Sequence, residues 1–231
     1  MDLQTLIDID RQVLLFFNGS DSLFLDGLIT TLTSGMTWIP LYIGLLYLAI
    51  KNNETVLQIL LTIGCALLCV FLASMMANVV AKPLVMRPRP GNDLMMKYVV
   101  DVVDDMRGMD YSFFSAHAAN TFSLAVFFCL LVRNKLFTFF LMAWSFINCY
   151  TRLYLGMHYP SDILVGLLWG AVVGISVHWL YFKLYFKISP KLNYVSSQYT
   201  STGYSHDDID VVVSLFVLCL LYAVIKALFI L

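Results

Sequence analysis

Three short segments of this sequence gather ionisable side chains beside long apolar stretches. The first, residues 82–90, reads KPLVMRPRP and places Lys82, Arg87 and Arg89 among prolines. Because proline fixes φ and disfavours helix in the residue before it, we expect a stiff, extended segment. Three cations held in this way suit the binding of an oxyanion. The alternative is a cluster of positive charge that simply flanks an apolar helix.

The second segment, residues 112–120, reads SFFSAHAAN and opens an apolar run. Serine before such a run is typical of a helix N-cap, and the N–H groups of a helix's first turn bind anions. The sequence therefore predicts a phosphate-sized site at the start of this helix, with His117 about one turn into it. A histidine that is hydrogen-bonded within a helix bundle is the alternative for His117.

The third segment, residues 152–162, reads RLYLGMHYPSD and adds a further cation, Arg152. Proline is favoured as the first residue of a helix, so Pro160 places Asp162 in an opening turn, within reach of the His158 ring. A carboxylate that holds one ring nitrogen leaves the other as a directed nucleophile or base. The alternative is a helix-capping acid beside an unrelated histidine.

The elements that must position these segments are membrane helices. Of 231 residues, 60% are hydrophobic and 13% are charged, and a soluble domain of this size cannot bury so much apolar surface. A net charge of −1 argues against a nucleic-acid-binding protein. Since a spanning helix needs ~20 apolar residues, we predict an all-α, polytopic membrane helix bundle. The predicted spans are Gly27–Ile50, Thr55–Ala81, Tyr111–Val132, Leu136–Thr151, Ile163–Phe182 and Val211–Leu231.

An amphipathic helix is predicted ahead of the first span. Its apolar residues recur at near-helical spacing, and its acidic start does not fit a signal peptide. Two roles stay open for it: docking on the membrane surface, or packing against the bundle.

The order of the spans places all three charged segments on one side of the membrane. The first two lie between the second and third spans, and the third lies two crossings later. Basic residues after the first, third and fifth spans indicate that those turns are cytoplasmic, so the charged segments are expected on the extracytoplasmic side. These basic residues are Lys51, Arg133, Lys135, Lys183, Lys187 and Lys191.

Two histidines, one carboxylate and several cations beside helix starts predict a site for a multiply charged oxyanion. The sequence shows no cluster of acids that would hold magnesium or calcium. Zinc binding by His117, His158 and Asp162 stays open as an alternative, although nearby cations would repel a metal ion. The five cysteines lie in apolar stretches and are expected to be core residues.

At these residues the sequence resembles the type-2 phosphatidic-acid phosphatase superfamily, membrane lipid phosphatases related to vanadium haloperoxidases. The family pattern has three parts, and the resemblance covers about residues 20–185. Two departures lie in the middle part, where Phe114 replaces a proline and Ala116 replaces a glycine. The matching positions are Lys82, Arg89, Pro90, Ser115, His117, Arg152, His158 and Asp162, with Thr151 in place of a serine.

The resemblance implies a role for each matching residue. His158 would attack phosphorus and form a phosphohistidine, Asp162 would orient its ring, and His117 would protonate the leaving group. The phosphate oxygens would be bound by positively charged side chains and by the start of the helix, and no cofactor is expected. These phosphate-binding positions are Lys82, Arg89, Arg152, Ser115 and Ala116.

We therefore expect one membrane phosphatase domain over residues 1–231, with an extra C-terminal helix at about 211–231. Its partners would be the bilayer and a lipid phosphate, and its location the inner membrane of a bacterium. The candidate substrates are phosphatidic acid, phosphatidylglycerol phosphate, polyprenyl diphosphate and lipid A. A lipid phosphotransferase of the same fold and a non-catalytic protein that binds anionic lipid stay open as alternatives. The oligomeric state is left open.

Overall fold

Apolar stretches form helices throughout the computed structural model, which describes residues 2–103, 108, 111–188 and 197–229. Lys191 and the last two residues of the sixth predicted span lie outside the described residues. A π-helical segment, Met76–Ala81, joins α4 to α5. The helices are α1 (Leu3–Phe17), α2 (Leu23–Thr33), α3 (Ile39–Lys51), α4 (Val56–Met75), α5 (Lys82–Val85), α6 (Ala116–Val132), α7 (Lys135–Tyr154), α8 (Pro160–Ile188) and α9 (His206–Leu228).

The all-α membrane bundle is confirmed, whereas the number of six full spans is not. Three helical stretches of the described chain are long and apolar enough to cross a bilayer: Val56–Asn92, Pro160–Ile188 and His206–Leu228. A fourth exists if α2 and the helical segment Gly35–Lys51, which are bent by 65°, form one broken span. Helix α6 has only 17 residues because it begins at Ala116, later than predicted.

The first predicted span is wrong as a continuous helix, because the chain is extended at Ser34 (φ −73°, ψ 126°). Such a break frees backbone carbonyl groups, which are costly in a bilayer unless other groups bind them. Here Thr37 Oγ1, Trp38 Nε1 and Arg152 Nη2 donate to the carbonyl oxygens of residues 31–33 at 2.6, 2.8 and 3.4 Å. The break thus brings the end of α2 to the third charged segment.

The extended conformation predicted for residues 82–90 holds only for its second half. Lys82 lies on a helix, because the π-helical segment carries the second span on to Val85. Pro83 lies in the first turn of α5, directly after the π-helical segment. Met86 adopts a left-handed conformation and ends the helix.

Helices α6 and α8 pack closely enough to bring two of the charged segments together. A Cβ atom on Gly166, Gly170 or Gly174 would lie 2.7–2.8 Å from a carbonyl oxygen of α6 or of its N-cap, Ser115. Glycines spaced four apart lie on one helix face and let the two backbones approach. At the same end, Ser115 N donates to the carbonyl oxygen of Asp162 at 3.1 Å.

The N-terminal helix α1 packs against the bundle, which is one of the two roles left open for it. It packs against α7 and α8, and its Leu14 is fully buried. Its outer face keeps large apolar side chains exposed, among them Leu6 and Phe16. The helix is therefore part of the bundle and still presents an apolar face outward.

Helix α9 begins at His206, ahead of the predicted start of the sixth span. Asp207 and Asp208 lie in its first turn, as expected from the preference of carboxylates for helix N-termini. The helix packs against α2 and α3.

Candidate active site

The three charged segments meet around one cavity of about 780 Å³. Side chains from four parts of the chain border it at one end: the end of the second span, the start of α6, the end of α7 and the turn before α8. Residues predicted for the site that line this cavity are Lys82, Arg89, Ala116, His117, Arg152 and His158. Ser115 and Asp162 are fully buried behind this wall.

A sharp turn between α7 and α8 sets the position of His158. Gly156 ends α7 with a φ of +59°, a left-handed conformation that glycine adopts without strain. The N–H of Met157 then donates to the carbonyl oxygen of Arg152 at 3.0 Å. Two residues after His158, α8 begins at Pro160, as predicted.

Asp162 faces the His158 ring from the first turn of α8. Its Oδ2 lies 3.7 Å from His158 Nδ1, which is within the range of an ion pair but longer than a hydrogen bond. His158 Nδ1 is buried and makes no hydrogen bond in the structure. Catalytic hydrogen bonds are often long before substrate binds, so a small closure would complete this contact.

Two further contacts fix the Asp162 carboxylate. Its Oδ2 accepts a hydrogen bond from the backbone N–H of Tyr159 at 3.0 Å, and its Oδ1 accepts one from Arg87 Nη1 at 2.9 Å. By residue type, Arg87 belongs with the cations of the oxyanion site. The structure turns Arg87 toward the acid instead. The one sequence signal that separates Arg87 from Arg89, two residues away, is the family spacing from Lys82, which matches Arg89.

The pKa of His158 lies below its ordinary value of 6.5, chiefly because burial penalises the charged ring. The charges of Arg89 and Arg152 lower this pKa further, and Asp162 acts in the opposite direction. The ring is therefore neutral at pH 7. With the Nδ1 proton directed at Asp162, a tautomer assigned from the position of the carboxylate, Nε2 carries the lone pair that a nucleophile needs.

Of the two serines that precede the apolar run, Ser115 caps α6, and its Oγ accepts from the N–H of Ala118 at 3.4 Å. His117 lies in the first turn of that helix, earlier than the position one turn in that the sequence suggested. First-turn N–H groups have no carbonyl partner within their own helix, so they are donors for an anion. Ala116 and His117 both line the cavity at this point.

Each of the three cations at the cavity is held by an anchoring contact. Lys82 Nζ donates to Asn78 Oδ1 at 2.7 Å, and Arg89 Nη1 donates to the carbonyl oxygen of Met157 at 3.3 Å. Arg152 is held at the broken span, as described above. Lys82 and Arg152 are both buried, so their charges act in a low-dielectric setting and attract an anion strongly.

Metal binding has no matching geometry in the part of the chain that the structure describes. There, no three His, Cys, Asp or Glu side chains come close enough together to hold a metal ion. His117, His158 and Asp162 therefore do not form the zinc site that the sequence left open.

The same cavity continues from the charged end into an apolar space between α3 and α4. Helix α3 packs mainly on α9 and leaves this space open toward α4. Its walls are formed by Tyr42, Leu45, Leu46 and Ala49 on one side and by Ile63, Ala66, Leu67 and Val70 on the other. A cavity with charged side chains at one end and apolar walls at the other suits an amphiphilic molecule.

Phe114, which departs from the family pattern, has a packing role. It is buried in an apolar cluster with Ala73, Ala77 and Ala81 of the second span and with Ala119 of α6. The side chain therefore fills the contact between these helices, next to the residues that line the cavity.

An all-α membrane bundle with a buried histidine–carboxylate pair, three cations and an apolar cavity defines a membrane-embedded enzyme of phosphoryl transfer. The chain belongs to the PAP2 superfamily, whose family model matches residues 62–186. It is an integral membrane protein and a lipid phosphatase.

Two curated relatives carry the name "Lipid A 4'-phosphatase". The protein from Bacteroides thetaiotaomicron is 38% identical over 191 residues, which are 82% of this chain and 83% of the relative. The protein from Porphyromonas gingivalis is 29% identical over 179 residues, 78% of this chain and 75% of the relative. No solved structure matches this chain.

Proposed function

We propose that this protein hydrolyses a phosphate monoester on lipid A, an acylated sugar phosphate, at the extracytoplasmic face of a bacterial inner membrane. The observation that carries the proposal is the single cavity, which joins a pocket with three cations to an apolar space between α3 and α4. The names of both relatives support the choice of lipid A.

In this proposal, His158 Nε2 attacks phosphorus and the bond between phosphorus and the lipid oxygen breaks. His117 gives its proton to that departing oxygen. Asp162 stabilises the positive charge that develops on the His158 ring. Water then attacks the phosphohistidine and gives a proton back to His117, the P–N bond breaks, and inorganic phosphate leaves.

Lys82, Arg89 and Arg152 neutralise the oxygens of the transferring group, and the start of α6 at Ser115 and Ala116 adds donors. Electrostatic stabilisation of this kind supplies most of the catalysis in phosphoryl transfer. The anchored cations need no rearrangement at the moment of reaction. Such preorganisation is what makes fixed charges effective.

The apolar part of the cavity would hold acyl chains while the phosphate reaches His158. A lipid could then react without leaving the bilayer, because its chains would stay at the level of α3 and α4. The same arrangement suits phosphatidic acid, phosphatidylglycerol phosphate and polyprenyl diphosphate, so the experiment includes them.

The distribution of basic residues supports the extracytoplasmic side. Lys51 ends α3, Arg133 follows α6 and Lys187 lies in the last turn of α8. These helix ends are opposite to the charged end of the cavity, and an excess of basic residues marks the cytoplasmic side.

The test is release of phosphate by the detergent-purified protein, with EDTA present, from lipid A and from the other three lipids. We expect release from lipid A by the wild type, none by His158→Ala, and wild-type release by His206→Ala. His206 is a matched control because it lies at the start of α9 and bonds Asn134, away from the cavity.

Release from a different lipid alone would replace lipid A as the substrate. Release only when a second lipid or sugar is added, with phosphate appearing on that acceptor, would indicate the transferase. Binding of lipid A without release by a folded wild-type protein would refute the hydrolase and leave the lipid-binding alternative.

A further inference from the structure

Arg87 bridges two buried carboxylates that come from distant parts of the chain. Its Nη1 donates to Asp162 Oδ1 at 2.9 Å, and its Nη2 donates to Asp10 Oδ2 at 2.6 Å. Asp10 belongs to α1, and Asp162 opens α8. Asp162 is fully buried and Asp10 is 9% exposed, so solvent screens this bridge little.

Ser161, in the first turn of α8, is hydrogen-bonded to both Asp10 and Arg87. Asp10 accepts from Ser161 N at 2.8 Å and from Ser161 Oγ at 2.6 Å. Arg87 Nη1 also donates to Ser161 Oγ at 2.8 Å. The carboxylate of Asp10 therefore accepts a hydrogen bond from a first-turn N–H of α8. This N–H belongs to Ser161, the residue before Asp162.

Neighbouring residues hold the guanidinium in one plane and α1 in one place. The Arg87 guanidinium stacks over the Tyr159 ring, with its central carbon 3.8 Å from the ring centre. Tyr159 Oη donates to Asp93 Oδ2 at 2.7 Å, and Arg11 of α1 bonds the same oxygen at 3.3 Å. Two adjacent residues of α1, Asp10 and Arg11, are thus tied to the turn that carries His158.

The two terminal nitrogens of the Arg87 guanidinium bond different carboxylates, and this division affects the position of Asp162 relative to His158. If Asp10 did not hold Nη2, both guanidinium nitrogens could chelate Asp162, the preferred geometry of an arginine and a carboxylate. That chelation would draw Asp162 away from His158, across a gap that is already 3.7 Å. Asp10 therefore keeps Asp162 Oδ2 available to the histidine.

Charge balance leads to the same conclusion. Two carboxylates and one guanidinium leave one negative charge in the buried group. That charge is available to stabilise a positive His158 ring during the reaction.

We propose that Asp10 and Arg87 are positioning residues for phosphoryl transfer, so that the N-terminal helix α1 sets the geometry of the His158–Asp162 pair. The proposal rests on the roles of His158 and Asp162 proposed above. Neither Asp10 nor Arg87 lines the cavity, and both act through Asp162.

Asp10→Asn is the principal variant, because asparagine keeps the shape and removes the charge. Asp8→Asn is the matched control. It makes the same change two residues away on α1, where Asp8 is exposed and its partners among the described residues are Gln4 and Arg11 of its own helix. We expect Asp10→Asn to lower kcat on the order of 10- to 100-fold, the cost of a misplaced catalytic group, with KM little changed. Asp8→Asn should behave as the wild type.

A second readout separates positioning from simple support of the fold. Four charged or titratable groups face His158: Asp162, Arg89, Arg152 and His117. All four are unchanged in Asp10→Asn and in Asp8→Asn. Titration of ¹⁵N-histidine-labelled protein by NMR, assigned with His158→Ala, follows the His158 ring directly. Asp10→Asn should shift its titration to lower pH, and Arg87→Gln should shift it to higher pH because Asp162 loses its cation.

Arg87→Lys keeps one positive charge but cannot bridge two carboxylates with a planar fork. We expect it to be folded, as judged by its thermal unfolding, and still to lose most of kcat. Wild-type kcat and an unmoved His158 titration in Asp10→Asn would overturn the proposal. A loss of kcat with an unmoved titration would also overturn it, because α1 would then only support the fold.

The NMR titration keeps this test separate from the proposed function. If the wild type released no phosphate from any lipid, the proposed hydrolase would fail. A His158 titration that moves to lower pH in Asp10→Asn and stays at the wild-type position in Asp8→Asn would still support the positioning of Asp162, and an unmoved titration in Asp10→Asn would refute it.

Discussion

At the scale of single residues, the candidate site depends on the burial and the charge of His158 and Asp162. Both are buried, which ordinarily disfavours their charged forms. His158 accommodates burial by staying neutral, whereas Asp162 accommodates it through Arg87 and the N–H of Tyr159. A neutral histidine beside a fixed carboxylate is the form that a nucleophile requires.

The lowered pKa of His158 gives a prediction for pH dependence. In the proposed mechanism the neutral His158 ring is the active form, and because its pKa lies below 6.5, activity should persist below that pH before it falls. Acidification protonates His158 only when the pH falls through the lowered pKa. The measurement is kcat/KM for lipid A as a function of pH, and an acidic limb above pH 6.5 would contradict a neutral, buried nucleophile.

At the scale of elements, the contact of α6 with α8 carries the site. Ser115 and His117 come from the start of α6, and Asp162 comes from the start of α8, so any change in the helix separation moves them apart. Gly170 lies at the centre of the contact. A Cβ there would lie 2.8 Å from the carbonyl oxygen of Ala119, and a backbone atom cannot easily move aside.

Gly170→Val should therefore abolish most lipid phosphatase activity and lower the thermal stability. Overpacking of a tight contact costs about 1–3 kcal/mol, and more where the clash is with backbone. Gly64→Val is the matched control, since a Cβ at Gly64 of α4 meets nothing within 4 Å. Equal activity and equal melting temperature in the two variants would mean that the close approach does not position the site.

At the scale of the whole molecule, one cavity links chemistry at the membrane edge to the apolar interior of the bundle. It forms because α3 packs on α9 and α4 packs on α6 and α8, which leaves a space between α3 and α4. The broken first span contributes as well, since its bend brings Thr33 to Arg152. The protein thus combines a charged end with an apolar space, which in the proposed function holds the acyl chains.

Ala66→Phe should obstruct this path, because Ala66 of α4 lines the cavity below the cations. We expect a higher KM for lipid A and unchanged hydrolysis of a short, water-soluble phosphate monoester. Leu60→Phe is the control on the same helix, since Leu60 is 60% exposed on the outer surface. Equal losses on both substrates would show that the substitution disturbs the charged end, and the apolar path would then be refuted.

The sequence by itself determined the all-α membrane class, the three charged segments, the start of α8 at Pro160 and a serine cap for α6. These features are local, because composition, proline and serine act through their own stretch of chain. The sequence could also have indicated the close α6–α8 contact, since Gly166, Gly170 and Gly174 recur at intervals of four.

Only the tertiary structure decided the partners of Arg87, the bend at Ser34 and the cavity between α3 and α4. Arg87 and Arg89 look alike in the sequence, and their different directions depend on Asp10, a residue 77 positions earlier. The bend persists because Arg152, far along the chain, donates to the carbonyl oxygen of Thr33 that it exposes. Long-range contacts of this kind follow from how helices pack, and no local pattern encodes them.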